Sequence, residues 1–229
     1  MSRLCIIPAR GGSKRIPRKN VKPFLGRPII AYSIELALKS GLFDTVMVST
    51  DDAEIAECAI KHGAEVPFFR SEVTSNDYAT TQAVLEEVLS EYSNRGIYWS
   101  SLFCIYPTAP LAQLESIKEG YDCLITNELD LVYPVVKFSY PIWRGLRREK
   151  SGRVEFIWPE NKNTRSQDLK DAFHDAGQWY WFNLNGQKTE LRYEKNSTIL
   201  LEPLAVQDID DLSDWFIAEL KYQNLFQTI

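Results

Sequence analysis

Short apolar runs alternate with longer segments of helical period through residues 1–137, and this alternation leaves the chain few folds to choose from. Leu4-Cys5-Ile6-Ile7-Pro8 is apolar and is followed by a glycine pair, the pattern of a buried strand feeding a tight loop. Pro28 suits the first turn of a helix in which Ile30, Ile34, Ala37 and Leu38 recur at helical spacing, and Gly41 suits its C-terminal cap. Thr45 to Thr50 is the next strand. Asp51 or Asp52 then caps a helix from Ala53 to His62 that Gly63 closes, and Ala64-Glu65-Val66 restarts a short strand. Beyond a polar stretch from Ser71 to Ala79, Val84, Leu85, Val88 and Leu89 mark another helix. Ser101 to Tyr106 is a buried strand stopped by Pro107 and Pro110, and Leu114 and Ile117 support a short helix before the strand Leu131 to Val136. Strands alternating with helices of about 10–15 residues predict an α/β, Rossmann-like fold, a mostly parallel sheet with helices on both faces.

The texture changes at Lys137. From there to Lys170 come Tyr140, Trp143 and Trp158, scattered charges and a Ser151-Gly152 turn between two short strands, which reads as an arm inserted into the sheet domain. Aromatic residues in such an arm are costly to leave exposed and suit a protein interface. Tyr180-Trp181-Phe182 and Ile199-Leu200-Leu201 resume the strands; Trp179 and Trp181 share one strand face, as core residues would. A last helix from Leu212 to Gln223 is expected to turn Trp215, Phe216 and Leu220 inward. At 229 residues the chain has room for one such domain, 1–229, with the arm at 137–170, and for no second catalytic domain. No apolar run reaches the roughly 18 residues of a membrane span, and the start leads straight into a strand-like run, so a cytoplasmic location is expected. The four cysteines, Cys5, Cys58, Cys104 and Cys123, lack C-x-x-C spacing and read as reduced core residues, Cys5 and Cys104 lying within apolar strand-like runs.

The net charge of -5 hides a segregation. Residues 1–34 carry Arg3, Arg10, Lys14, Arg15, Arg18, Lys19, Lys22 and Arg27 and no acid, whereas 202–220 carry Glu202, Asp208, Asp210, Asp211, Asp214 and Glu219 and no base. One end can hold a polyanion and the other a divalent cation. The basic run is interrupted by Pro and Gly, the pI is about 5.2, and no RNA- or DNA-reading motif accompanies it, so nucleic acid is excluded as the partner.

The densest chemistry lies in Pro8-Ala9-Arg10-Gly11-Gly12-Ser13-Lys14-Arg15-Ile16-Pro17-Arg18-Lys19-Asn20. A glycine pair just past a strand frees backbone N–H groups to converge on an anion, and Arg10, Lys14 and Lys19 add charge suited to a triphosphate. The spacing matches neither the P-loop nor the dinucleotide fingerprint. Asp208 and Asp210 stand at i, i+2, so on an extended segment both carboxylates face one way and can share Mg²⁺ or Mn²⁺. They can equally serve as caps of the following helix, a role also open to Asp211 and Ser213.

This loop resembles the N-terminal signature of the CMP-nonulosonic acid synthetases, cytidylyltransferases that activate sialic-acid-type sugars with CTP. The likeness continues through Ser49-Thr50-Asp51-Asp52, Arg70, Ser75-Asn76-Asp77-Tyr78-Ala79-Thr80-Thr81, Tyr106-Pro107-Thr108-Ala109-Pro110-Leu111 and Asp208-Ile209-Asp210. It implies transfer of CMP from CTP to the anomeric hydroxyl of a nine-carbon sugar acid, with release of pyrophosphate. Lys14, Lys19, Asp208 and Asp210 would be catalytic, with the two aspartates on the metal. Ala9, Arg10, Gly11, Gly12, Asn20, Arg70, Ala79 and Thr81 would surround the nucleotide. Asp175 and Gln178 would meet the sugar, and Arg165 either its carboxylate or the arm. Asp210, or a metal-bound hydroxide beside it, would take the hydroxyl proton. Thr164 to Leu169 and His174-Asp175-Ala176-Gly177-Gln178 resemble the pseudaminic acid branch, whereas sialic acid and legionaminic acid enzymes more often carry an N-G-A-like sequence at the second position. Tyr106 also stands where the sialic acid pattern has Gln. A CMP-legionaminic or CMP-sialic acid synthetase is the alternative. The resemblance further implies a homodimer formed through the arm.

Overall fold

The computed structural model describes residues 2–184 and 189–227; Met1, 185–188 and 228–229 of the expected 1–229 domain lie outside the described residues. The first apolar run is β1 (Arg3–Pro8), and after the glycine loop β2 (Pro23–Phe24) and β3 (Arg27–Pro28) form a minimal hairpin leading into α1 (Ile29–Ser40). Pro28 stands one residue outside the helix in extended conformation, a correction to the first-turn placement, and Gly41 closes α1 at φ 65, where a side chain would be strained. β4 (Thr45–Ser49) follows. Asp52, not Asp51, caps α2 (Ala53–Lys61), accepting from the Ile55 amide at 3.0 Å. Ala64–Val66 is reduced to a single bridge between Glu65 and Met47, because Pro67 cannot continue a strand ladder. A single turn, α3 (Glu72–Ser75), precedes α4 (Thr81–Asn94), and β5 (Ser101–Ile105), α5 (Leu114–Thr126) and β6 (Leu131–Lys137) complete the alternating part.

Beyond β6, in the stretch expected to be an inserted arm, β7 (Leu146–Arg148) and β8 (Val154–Phe156) pair antiparallel around the Ser151-Gly152 turn. Trp143 and Trp158, both half-buried, pack edge to face, ring centroids 5.5 Å apart. The chain returns to the sheet as β9 (Phe173–Asp175), β10 (Trp179–Asn183) and β11 (Asn196–Leu201) and ends in α6 (Leu212–Phe226).

The sheet order is β11-β6-β10-β5-β1-β4, with β9 pairing β6 off this path. β4, β1 and β5 are mutually parallel, as are β6 and β11; β10 runs antiparallel between β5 and β6. Alternate residues of β1 divide between two cores. Cys5 and Ile7 pack with Ile30 and Ile34 of α1, Ile55 of α2 and Ile117 and Leu124 of α5, while Leu4 and Ile6 pack with Leu85, Val88 and Leu89 of α4. Helices therefore cover both faces. Trp179 and Trp181 are fully buried on the first face, and Trp179 lies so close to Gly120 that a Cβ there would be 2.6 Å from its ring.

A third, smaller core joins the ends of the chain. Ile16 and Phe24 from the N-terminal loop pack with Ile209 and with Trp215 and Ala218 of α6. The stripe Trp215, Ala218 and Tyr222 makes this contact, so the adjacent stripe turns outward: Phe216 is 61% and Leu220 50% exposed, against the expectation that they face inward.

Candidate active site

β1 has β4 on one side and β5 on the other, so the loops that leave the carboxyl ends of β1 and β5 diverge and open a crevice. This cleft, about 460 Å³, is lined by Pro8, Arg10, Ser13, Lys14, Arg15, Lys19 and Asn20 from the first loop, by Tyr106, Pro107 and Thr108 after β5, and by Asp208 and Asp210 before α6.

The acidic segment reaches the cleft because its central residue is apolar. Ile209 is 0% exposed and Ile16 1%, both in the third core, and with Ile209 turned inward the flanking Asp208 and Asp210 are left on the cleft side. Lys19 Nζ donates to the Ile209 carbonyl at 2.7 Å. Burial lowers the Lys19 pKa, partly offset by Asp210 and Asp208. Arg15 pairs with Asp210 at 2.6 Å. Burial, and then the neighbouring Asp210 carboxylate, raise the pKa of Asp208. Neither aspartate caps α6. Asp211 accepts from the Ser213 and Asp214 amides at 2.8 and 3.0 Å, and Asp214 reciprocates to the Asp211 amide at 3.1 Å.

Around the glycine pair, the groups able to hold an anion rest on protein carboxylates. The Gly11 amide donates to Asp51 Oδ1 at 2.8 Å, Arg10 pairs with Asp77 at 2.5 Å, and Lys14 pairs with the other oxygen of Asp77. Asn20, buried, donates to the Arg10 carbonyl at 2.9 Å and fixes the loop's shape, while the Ala9 amide donates to the Ser49 carbonyl at 2.9 Å. A side chain at Gly11 would displace Asp52, because a Cβ would lie 2.7 Å from Asp52 Oδ2, whereas Gly12 is open. Arg18, at φ 56, grips Asp52 with two nitrogens at 2.5 and 2.9 Å and also pairs with Glu54. Arg18 first, with help from backbone donors, holds the Asp52 pKa down at about 2.

Other residues singled out in the sequence lie elsewhere. Arg70 is buried and donates through Nη2 to the Ser49 carbonyl at 2.7 Å and through Nε to Ser49 Oγ at 3.2 Å, so it braces the end of β4 outside the cleft lining. The Ala79 amide donates to the Asn76 carbonyl at 3.4 Å, and Thr81 Oγ1 lies 3.0 Å from the Tyr106 hydroxyl. Asp175 lines a second groove, about 750 Å³, with Tyr133, His174 and Tyr180. Its carboxylate accepts from the Tyr180 hydroxyl and the Gly177 amide, both at 2.7 Å. Although this groove is larger, its lining is mostly apolar, and the charges that suit phosphate chemistry stand in the smaller cleft. Tyr106 of the cleft and Tyr180 of the groove meet edge to face at 5.8 Å. Gln178, 2% exposed, donates to the Ala205 carbonyl at 2.6 Å. Arg165 is exposed at the base of the inserted segment.

Two further charged residues, neither assigned a role from local sequence, make ion pairs at the site. Arg15 counted only as one of the basic run, and Asp77 only as part of a motif; nothing in their local sequence signals their ion pairs. Among the described residues no three His, Cys, Asp or Glu side chains cluster to hold a metal ion. Asp208 and Asp210 nonetheless offer the hard oxygen donors Mg²⁺ takes when one or two carboxylates and substrate phosphates complete its shell. Among the described residues no helix is long and apolar enough to cross a membrane.

A sequence model of the family described as Cytidylyltransferase matches residues 4–200. The chain is 40% identical over 225 residues to the pseudaminic acid cytidylyltransferase of Campylobacter jejuni subsp. jejuni serotype O:2, covering 97% of each chain. It is 30% identical over 198 residues to the N-acylneuraminate cytidylyltransferase of Streptococcus agalactiae serotype III, covering 84% of this chain and 45% of that one. Among solved structures, a CMP:2-keto-3-deoxy-manno-octonic acid synthetase complexed with CTP has a TM-score of 0.68 at 16% identity, over 98% of this chain and 100% of the other. That likeness is one of fold.

Proposed function

The chain belongs to the cytidylyltransferase family, and from that premise we propose that it transfers CMP from CTP to the anomeric hydroxyl of pseudaminic acid and releases pyrophosphate. The observation that carries this reading is the meeting of Arg10, Lys14 and Lys19 with Asp208 and Asp210 across one cleft at the carboxyl ends of β1 and β5. Nucleotidyl transfer needs no covalent nucleophile from the protein; it needs charge placed where the leaving pyrophosphate and the α-phosphoryl oxygens develop theirs. Lys14, Lys19 and Arg10 supply that charge, with the Gly11 and Gly12 backbone beside them. The anomeric oxygen attacks the α-phosphorus as the bond from that phosphorus to the α,β-bridging oxygen breaks, pyrophosphate leaves with the electron pair, and the hydroxyl proton passes toward the Asp210 carboxylate. The Asp208 and Asp210 carboxylates would hold a Mg²⁺ ion, whose chemistry is to neutralise phosphate charge.

The cytidine is proposed to lie toward Asn20, Ala79 and Thr81, with Arg70 supporting the strand end beneath it. The sugar is proposed to lie toward Tyr106, Gln178 and Asp175, where the cleft meets the aromatic groove. We further propose a cytoplasmic homodimer formed through the inserted segment, which leaves Tyr140, Leu146 and Val154 exposed in the single chain. Incubation with CTP, Mg²⁺ and pseudaminic, legionaminic or N-acetylneuraminic acid, following pyrophosphate release, tests the reading. Preferred turnover of pseudaminic acid is expected. Preference for another of the three corrects the sugar, and no release with any of them overturns the assignment.

A further inference from the structure

Two of the three cations proposed for the triphosphate are already paired. One oxygen of the Asp77 carboxylate takes Arg10 Nη1 at 2.5 Å and the other takes Lys14 Nζ, much as two oxygens of one phosphate would. Asp77 lies in the loop between α3 and α4 and is exposed. The turn α3 ahead of the loop is tied down at its start, where the Ser71 amide donates to Glu87 at 2.8 Å, and at the loop's far end Thr80 caps α4 by accepting from the Ala83 amide at 3.1 Å. Between these anchors Asp77 and Tyr78 project outward, Tyr78 being 93% exposed. An exposed ion pair separates at small desolvation cost, and the Lys14 side chain is itself 78% exposed.

We propose that Asp77 is a positioning residue that holds Arg10 and Lys14 as a substitute anion while the cleft lacks nucleotide, yields them to the triphosphate, and reclaims them as pyrophosphate leaves. This rests on the nucleotidyl-transfer reading of the cleft. Hydrogen bonds from Lys14 first and then Arg10 depress the Asp77 pKa, so its carboxylate stays charged wherever the enzyme would work. Asp77 then competes with every phosphate group the loop binds, and the competition favours product release over retention.

The test compares wild type with Asp77→Asn, which removes the charge and keeps the shape, and Asp77→Glu, which keeps the charge. Glu35→Gln, in the surface pair with Arg27, controls for the loss of one negative charge from the whole protein. CTP and inorganic pyrophosphate are titrated by calorimetry at fixed ionic strength, and kcat and KM are measured by CMP-sugar formation. Asp77→Asn is expected to bind pyrophosphate about threefold to tenfold more tightly. Its KM for CTP and its kcat should fall together, while Asp77→Glu and Glu35→Gln stay within about twofold of wild type. Unchanged or weaker pyrophosphate binding by Asp77→Asn, or equal tightening in Glu35→Gln, overturns the proposal. A wild-type protein that binds neither CTP nor pyrophosphate sinks the nucleotide reading, and this inference with it.

Discussion

The ammonium of Lys19 donates to the carbonyl of Ile209 at 2.7 Å, joining the basic loop to the acidic segment across 190 residues of sequence. The carbonyl lies between Asp208 and Asp210, so Lys19, together with the Arg15–Asp210 ion pair and the packing of Ile16 on Ile209, ties the basic side of the cleft to its acidic side. Lys19→Met keeps the aliphatic stem and loses the charge; kcat/KM for CTP should fall by about 10²- to 10³-fold. Because burial lowers the Lys19 pKa, the free enzyme should lose kcat/KM at a lower pH than an ordinary lysine would dictate. Lys19→Arg should move that alkaline limb upward, and a pH profile of kcat/KM measures both.

Gly11 and Gly12 are adjacent in sequence but differ in what surrounds them. In Gly11→Ala the new Cβ would stand 2.7 Å from Asp52 Oδ2 and 3.0 Å from Asp52 Cβ, displacing a side chain that caps α2 and binds Arg18. A loss of about 1–2 kcal/mol is expected. Gly12→Ala meets nothing within 4 Å and should stay within about 0.5 kcal/mol of wild type. Urea unfolding of the two variants side by side checks the contrast, and any functional loss in Gly12→Ala should appear in the KM for CTP.

Legibility followed the length and continuity of the signal. β1, β4 and β5 each contain an unbroken buried apolar run and could be read directly, whereas β9 is three exposed residues, Phe173 to Asp175, with no period to read. Alternation shows that β10 is a strand and that Trp179 and Trp181 share a face, but strand direction leaves no mark in it. On α6 two neighbouring apolar stripes compete, and only the position of Phe24 and Ile209 decides that Trp215 is buried and Phe216 is not. At the site, the charge segregation put Lys14 and Lys19 in one set and Asp208 and Asp210 in another. The pairs Lys14 with Asp77 and Arg15 with Asp210 span 63 and 195 residues, and no local pattern encodes them.

Asp52 gives the fold an acid-sensitive joint. Its folded pKa, about 2, lies below the ordinary 3.8 because Arg18 favours the carboxylate. The folded state therefore binds this proton less readily than the unfolded chain, and the stabilisation is complete above about pH 4 and lost as pH falls toward 2. Solvent screening keeps the ion-pair share small. Asp52→Asn retains a capping oxygen and should lose little at pH 7, while Asp52→Ala should lose about 1 kcal/mol with the cap. Melting curves at pH 7 and pH 3 should show the gap between Asp52→Asn and wild type narrowing in acid; a gap independent of pH contradicts the assignment.

A substitution at Asp210 separates the metal-holding role proposed for the two carboxylates from a structural one. It is paired with Arg15, and its charge is one of the causes that raise the Asp208 pKa. In Asp210→Asn an exposed ion pair and a like-charge repulsion disappear together, so stability should move by less than about 0.5 kcal/mol. Activity should respond in the opposite proportion. With one oxygen ligand and one negative charge gone from the cleft, pyrophosphate release from CTP and sugar should fall at least about 100-fold. CTP binding should split by condition. In EDTA the variant should bind CTP as well as wild type or better, since a carboxylate facing the triphosphate only repels it. In Mg²⁺ the order should reverse, because wild type alone retains both carboxylates for the shared ion. Full activity in Asp210→Asn, or the same change in CTP affinity with and without Mg²⁺, removes Asp210 from the metal site.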